Sequence, residues 1–278
     1  MPAFETPEPL SVTLAFEHGA ARITAGKRTD TVVEVRPGDA TREADVRAAQ
    51  QTEVTCSGGR LRVEGPRRRS LFGTCGALDV TIELPAGSDV VGTSPMADFT
   101  CAGLLGGVRL TTSFGDLQVD EADTVNLRTG YGDIRLGRVA GDAELSAAGR
   151  IEAGEIAGTA RVENGNGATT IGEVTGALWA NAANGPLSVG VAHAGVEARS
   201  AHGPLRIDDV ARGRVVLRAA AGDIEVGIRE ATAAWLDVTT DAGRVHHSLG
   251  PSESPGDAAE TVEVRAHTGI GDIVVRRS

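Results

Sequence analysis

Aromatic side chains are scarce: two Trp, one Tyr and five Phe among 278 residues, about 3%. A wide globular core is normally filled by such rings. Here the apolar content is Val, Ile, Leu and Ala, which suits a narrow core between short strands. Cysteine is scarce too. Cys56, Cys75 and Cys101 are odd in number and none forms a C-x-x-C pair, which argues against a disulfide framework and a structural zinc site. Cys101 falls in an apolar column and reads as a buried thiol.

Long apolar runs are missing. None approaches the ~18 residues of a membrane span. The opening "MPAFETPEPLSVTLAFEHGAARIT" has no basic region followed by an unbroken apolar one, so no export signal is read and a cytoplasmic location is expected. The closing "GDIVVRRS" is not a lipidation signal. Positive charge is short as well: the net charge is −11. A nucleic-acid backbone would be repelled by such a chain. Its best basic cluster, Arg67, Arg68 and Arg69, reads as a solvated loop.

Catalytic signatures are absent in the same way. There is no G-x-S-x-G and no P-loop. "NGNGATTIG" has phosphate-loop glycines but leads into a strand, with no helix N-terminus to hold a phosphate. Six histidines include neither H-x-x-x-H nor H-x-H. His246 and His247 are neighbours in a strand and face opposite sides, so they cannot chelate together. No metal and no cofactor is implied.

Glycine is plentiful, with 37 residues, and it recurs. Gly115, Gly132, Gly149, Gly167, Gly185, Gly203, Gly222, Gly243 and Gly271 mark equivalent points, mostly about 18 residues apart; Ala97 stands one unit upstream. After each marker come texts such as "GDLQV", "GDIRL", "GPLSV" and "GDIEV". Two places on, the column is Phe99, Leu117, Ile134, Ile151, Thr169, Leu187, Leu205, Ile224, Val245 and Ile273. Four places on, it is Cys101, Val119, Leu136, Ala153, Ile171, Val189, Ile207, Val226, His247 and Val275. Alternation of period two means a strand with one buried face.

A second strand precedes each marker, as in Val108–Leu110 and Val215–Leu217, and single apolar corners follow the first: Val139, Ile156, Val174 and Val210. Two short strands cannot bury an apolar face alone, so coils must stack. The fold class read is all-β: a single-domain parallel β-solenoid, a β-helix with right-handed winding expected, of about 18 residues per coil. At ~4.8 Å per coil the repeat would run on the order of 45 Å. Residues 1–90 are read as irregular N-terminal coils and cap, with one short helix near Thr41–Gln51. Residues 91–278 are read as regular repeats with a C-terminal cap, the whole one continuous domain.

The repeated glycine–aspartate strands, preceded by "VTIELPAGSDV", resemble the putative-adhesin β-strand-repeat family, domain-of-unknown-function family 4097, also called toastrack. The opening "MPAFETPEPLSVTLAFEHGAARITAGKRTDTVVEVRPGD" looks like its cytoplasmic, actinobacterial branch. The resemblance implies a β-helical fold and carries over no catalytic residue. Some relatives are associated with envelope-stress systems.

Stacked coils turn columns into ladders. Asp98, Asp116 and Asp133 follow the marker on three successive coils. At ~4.8 Å in water two such charges repel by about 0.9 kcal/mol, and by more in a desolvated groove. They are either turn residues splayed into water or the carboxylates of an acidic groove. One place before the marker lie Phe114, Tyr131, Ala148, Asn166, Asn184 and His202: a structural ladder or a ligand-reading strip. Thr112, Thr129, Ser200, Thr240 and Thr268 can satisfy backbone groups at the corner. Three functions are compatible with these columns. The first is a non-enzymatic scaffold or protein-interaction module with an unknown protein partner, able to pair end to end with itself. The second is an enzyme or ligand-binding protein, carbohydrate-active or other, using Asp98, Asp116, Asp133 and Tyr131. The third is an envelope-stress component.

Overall fold

Period-two runs of Val, Ile and Leu become strand wherever the glycine columns recur. The computed structural model describes residues 2–66, 76–230, 232–249 and 260–278. Arg67, Arg68, Arg69 and Cys75 lie outside the described residues. The chain forms two compact units, Met1–Arg138 and Val139–Ser278. Both are built from parallel β-solenoid coils, the fold class expected.

The first unit contains β1 (Ala3–Glu5), β2 (Ser11–Ala15), β3 (His18–Gly26), β4 (Asp30–Pro37), α1 (Glu43–Gln51), β5 (Glu53–Ser57), β6 (Arg60–Glu64), β7 (Leu78–Pro85), β8 (Asp89–Phe114) and β9 (Leu117–Tyr131); β10 (Ile134–Val139) runs through the division. Strand β2 pairs in parallel with both β6 and β8, and β3 with both β7 and β8. The first coil of the chain therefore lies between the second and the third. Antiparallel β4 and β5 cover the outer edges of β7 and β6. Helix α1 starts two residues later than expected. Its buried Asp45 accepts hydrogen bonds from the backbone N–H of Asp39 (3.1 Å) and Ala77 (3.0 Å), tying the helix to the entry of β7.

The second unit contains β11 (Ala143–Ala147), β12 (Ile151–Ile156), β13 (Ala160–Asn164), β14 (Thr169–Val174), β15 (Leu178–Asn184), β16 (Leu187–Ala192), β17 (Val196–His202), β18 (Leu205–Val210), β19 (Gly213–Ala221), β20 (Ile224–Ile228), β21 (Thr232–Ala242), β22 (Val245–His247), β23 (Glu260–Ile270) and β24 (Ile273–Arg277). Odd-numbered strands stack in one ladder and even-numbered ones in another.

Coils stack in sequence order until the last two, where the expected order fails. Strand β23 pairs with β19 on one side and β21 on the other; β24 pairs with β20 and β22. The final coil is inserted beneath the one that precedes it. The reason lies in the inward residues. Strand β23 offers Val262, Val264 and Ala266, all buried. The β21–β22 coil puts His247 in the inner column, opposite Val275. An unpaired imidazole is costly in a core, so this coil sits outermost, where His247 is exposed.

Apart from Val245 and His247, the two columns after the marker are buried as read. Thr169 is the polar member among them. Its Oγ1 accepts a hydrogen bond from the buried Asn164 Nδ2 at 2.9 Å. Corner residues Val139, Ile156, Val174 and Val210 are fully buried. Cys101 is fully buried between Ile23 and Val119 of the neighbouring coils.

Candidate functional site

The corner at the marker glycine holds every residue singled out by sequence. At Gly132 the backbone takes φ +154°, a region L side chains rarely adopt. Space is a second constraint: a Cβ there would stand 2.1 Å from the Gly115 carbonyl oxygen of the preceding coil. The chain is thus pinched at the glycine, and the residues on either side of it point outward.

Asp98, Asp116 and Asp133 follow this pinch in the first unit. The Asp98 carboxylate accepts the Asp116 backbone N–H at 2.9 Å, and the Asp116 carboxylate accepts that of Asp133 at 2.8 Å. The Asp98 and Asp116 side chains each reach one coil along and satisfy a backbone donor at the corner. Asp133 also lies 3.9 Å from the Arg135 guanidinium. The second unit repeats the device at positions the column analysis passed over. Asp223 accepts from Asp272 N–H and Asp272 from Arg244 N–H, both at 2.8 Å. Both follow a marker glycine, so their column position was the available signal. Another corner uses Asp142, whose carboxylate accepts the Thr159 N–H (2.8 Å) and hydroxyl (2.7 Å). These two bonds, the hydroxyl first, hold the Asp142 carboxyl below its ordinary value.

Before the pinch the side chains differ. Phe114 and Tyr131 are cross-strand neighbours in the first unit. Their rings stack with centroids 5.0 Å apart and planes 11° apart. They are nonetheless 49% and 67% exposed. Met96, 47% exposed, holds the same column one coil earlier, with His18 as its cross-strand neighbour. In the second unit Asn184 Nδ2 donates to Asn166 Oδ1 at 2.9 Å, and His202 is the next residue of that ladder. The seven candidates thus form two sets, Asp98, Asp116, Tyr131 and Asp133 in one unit and Asn166, Asn184 and His202 in the other.

Three of the hydroxyls three places before the marker satisfy the corner's carbonyls. Thr129 donates to Gly115 (2.8 Å), Thr240 to Gly271 (2.9 Å) and Thr268 to Gly222 (2.8 Å). Clefts among the described residues lie elsewhere. One of about 580 Å³ is lined by residues 3–10 and 56–59, and one of about 210 Å³ by residues of β19, β21 and β23 that include Arg218, Arg265 and His267. None of the seven candidates lines either. Among the described residues no three His, Cys, Asp or Glu side chains converge as a metal site would require. No helix there is long and apolar enough to cross a membrane.

The family model described as Toastrack DUF4097 matches residues 22–276. The chain belongs to that family. A search of curated proteins found no match. Solved structures similar to this toastrack chain include one from Parabacteroides merdae, named a putative adhesin. It is 10% identical, and the alignment covers 100% of this chain and 95% of that one, at a TM-score of 0.35. A second, from Bacteroides fragilis and also named a putative adhesin, is 12% identical over 99% and 95% of the two chains, at 0.32. A third, from Clostridium sporogenes and named a putative cell adhesion protein, is 11% identical over 100% and 98%, at 0.23. Superpositions this loose assign no role to the toastrack chain.

Proposed function

We propose that this toastrack protein is a non-enzymatic protein-interaction module that engages its partner through the corner strip Met96–Phe114–Tyr131. The observation that carries the reading is the Phe114–Tyr131 stack. These two rings belong to a chain with very few, and both are left largely in water. Exposed aromatic and methionine side chains in a contiguous row are what protein interfaces bury. Two flat, half-exposed rings lose little rotamer freedom when a partner covers them, which favours their use as anchors.

The acidic-groove enzyme has less support. Asp98 and Asp116 each commit an oxygen to a backbone N–H of the next coil, and neither lines the clefts described above. A cytoplasmic setting is part of the proposal. It draws support from Cys56 and Cys101, which are free thiols among the described residues, as suits a reducing compartment.

The test is affinity capture from the native organism with wild-type protein and the Phe114→Ser/Tyr131→Ser double variant, compared by mass spectrometry. A partner retained by wild type and lost by the double variant, with circular dichroism unchanged, supports the strip. A partner retained equally by both excludes it.

A further inference from the structure

Among the described residues strand β21 is the outermost strand of the second unit, and its open edge offers a second surface, independent of the corner strip. It runs for 11 residues, Thr232–Ala242, and pairs on one side only with β23 among the described residues. Its inward residues Ala234, Leu236 and Val238 are only half-buried, and Val245 of the same coil is 38% exposed. Among the described residues the apolar core therefore continues to this end without a cover. An unpaired edge of such length, with no Pro and no Lys, is a template for another strand.

We propose that β21 pairs antiparallel with β21 of a second copy about a two-fold axis through Val238. Hydrogen-bond parity restricts the possible registers. The Ala242 carbonyl accepts from Gly271 N–H at 3.0 Å, on the β23 side. Alternation then turns the backbone groups of 234, 236, 238 and 240 toward β23, and those of 235, 237, 239 and 241 toward the open edge. Two edges of this kind can face each other only with residues of like parity opposite.

Charge removes two of the registers that remain; one centred on Leu236 also opposes no two carboxylates, and the charge swap below distinguishes it, because there Thr239 would face Ala233. Centring on Asp237 sets that carboxylate against itself. Centring on Thr239 sets Asp237 against Asp241. Either is destabilising, because directly opposed like charges repel. Centring on Val238 sets Asp237 against Thr239 and Trp235 against Asp241, with Val238 opposite Val238, Leu236 opposite Thr240 and Ala234 opposite Ala242. Two cores meet, no two carboxylates are directly opposed, and residues 234–242 are all used. About eight backbone hydrogen bonds close in this register, two for each hydrogen-bonded pair. Asp241 of the second copy comes beside the Trp235 ring, over which the Arg265 guanidinium already lies at 5.6 Å. The symmetric pairing consumes the β21 edge of both copies, so assembly stops at a dimer.

Sedimentation velocity on the full chain, from micromolar to near-millimolar concentration, tests the proposal. Wild type is expected to show a monomer–dimer equilibrium. Thr239→Pro removes an outward N–H that the internal ladder does not use, and is expected to be a folded monomer by circular dichroism. Thr239→Asp places carboxylates opposite Asp237 and should weaken the dimer at least tenfold. Asp237→Lys/Thr239→Asp should restore it. A wild-type monomer at every concentration overturns the proposal. Species larger than a dimer, a Thr239→Pro dimer, or failure of the charge swap to restore pairing each overturn it as well.

Discussion

Ser200 and Thr129 occupy equivalent positions three places before a marker glycine, yet only one has a partner. Thr129 donates to the Gly115 carbonyl, whereas the buried Ser200 Oγ has none. Leaving a buried hydroxyl unmatched costs more than a hydrogen bond returns. Ser200→Ala is therefore expected to be neutral or to stabilise by up to about 1 kcal/mol, and Thr129→Val to destabilise by about 1 kcal/mol, in urea unfolding. Cys101 carries a second residue-level prediction. Burial, helped by Asp120, pushes its thiol up to about 12. In native protein at neutral pH it should resist iodoacetamide, reacting only on unfolding, as mass spectrometry would show. Asp142 carries a third. Its carboxyl is lowered in the fold, so its contribution to stability is complete above the ordinary carboxylate value. That contribution is lost as pH falls through the lowered native value. Asp142→Asn should accordingly flatten the acid limb of the melting-temperature profile. The Asp column was legible in the sequence as turn chemistry. Its partner, a backbone N–H one coil away, was not, because that contact joins residues 17 or 18 apart in sequence.

At the scale of the coil, glycine spacing made the corners legible. A positive φ at Gly132 follows from the need for a sharp turn. The close approach to the Gly115 carbonyl appears only when coils are stacked. Both constraints act on one substitution. Gly132→Ala is expected to cost about 1–3 kcal/mol in backbone strain alone, and more where the new Cβ meets the carbonyl, measurable as a fall in denaturation midpoint. Alternating Val, Ile and Leu fixed which face of each strand is buried, and the two inner columns held through both units. Val245 and His247 are the exceptions, and both lie on the outermost coil.

At the scale of the whole molecule, the stacking order was the least legible feature. Every coil carries the same column pattern, so periodicity cannot say which coil neighbours which. In each unit that contains a chain terminus, the terminal coil is tucked beneath another: β2–β3 under β6–β7, and β23–β24 under β21–β22. A polar residue in an inner column, His247, was the one sequence sign of an outermost coil. Amide exchange can read this order directly. In the Thr239→Pro protein, whose β21 edge is unpaired, β23 should exchange more slowly than β21, although it is nearer the C-terminal end. The proposed function divides the same corner. The Asp98 and Asp116 carboxylates and the Thr129 hydroxyl are bonded to the neighbouring coil, whereas the Phe114–Tyr131 pair, although stacked between coils, leaves much of its surface exposed. One comparison tests this division most directly: partner capture by wild type, by Phe114→Ser/Tyr131→Ser, and by Asp98→Ala/Asp116→Ala/Asp133→Ala. The prediction is that only the aromatic double variant loses the partner while staying folded. Loss of the partner from a folded aspartate triple variant, with the aromatic variant still binding, would contradict it.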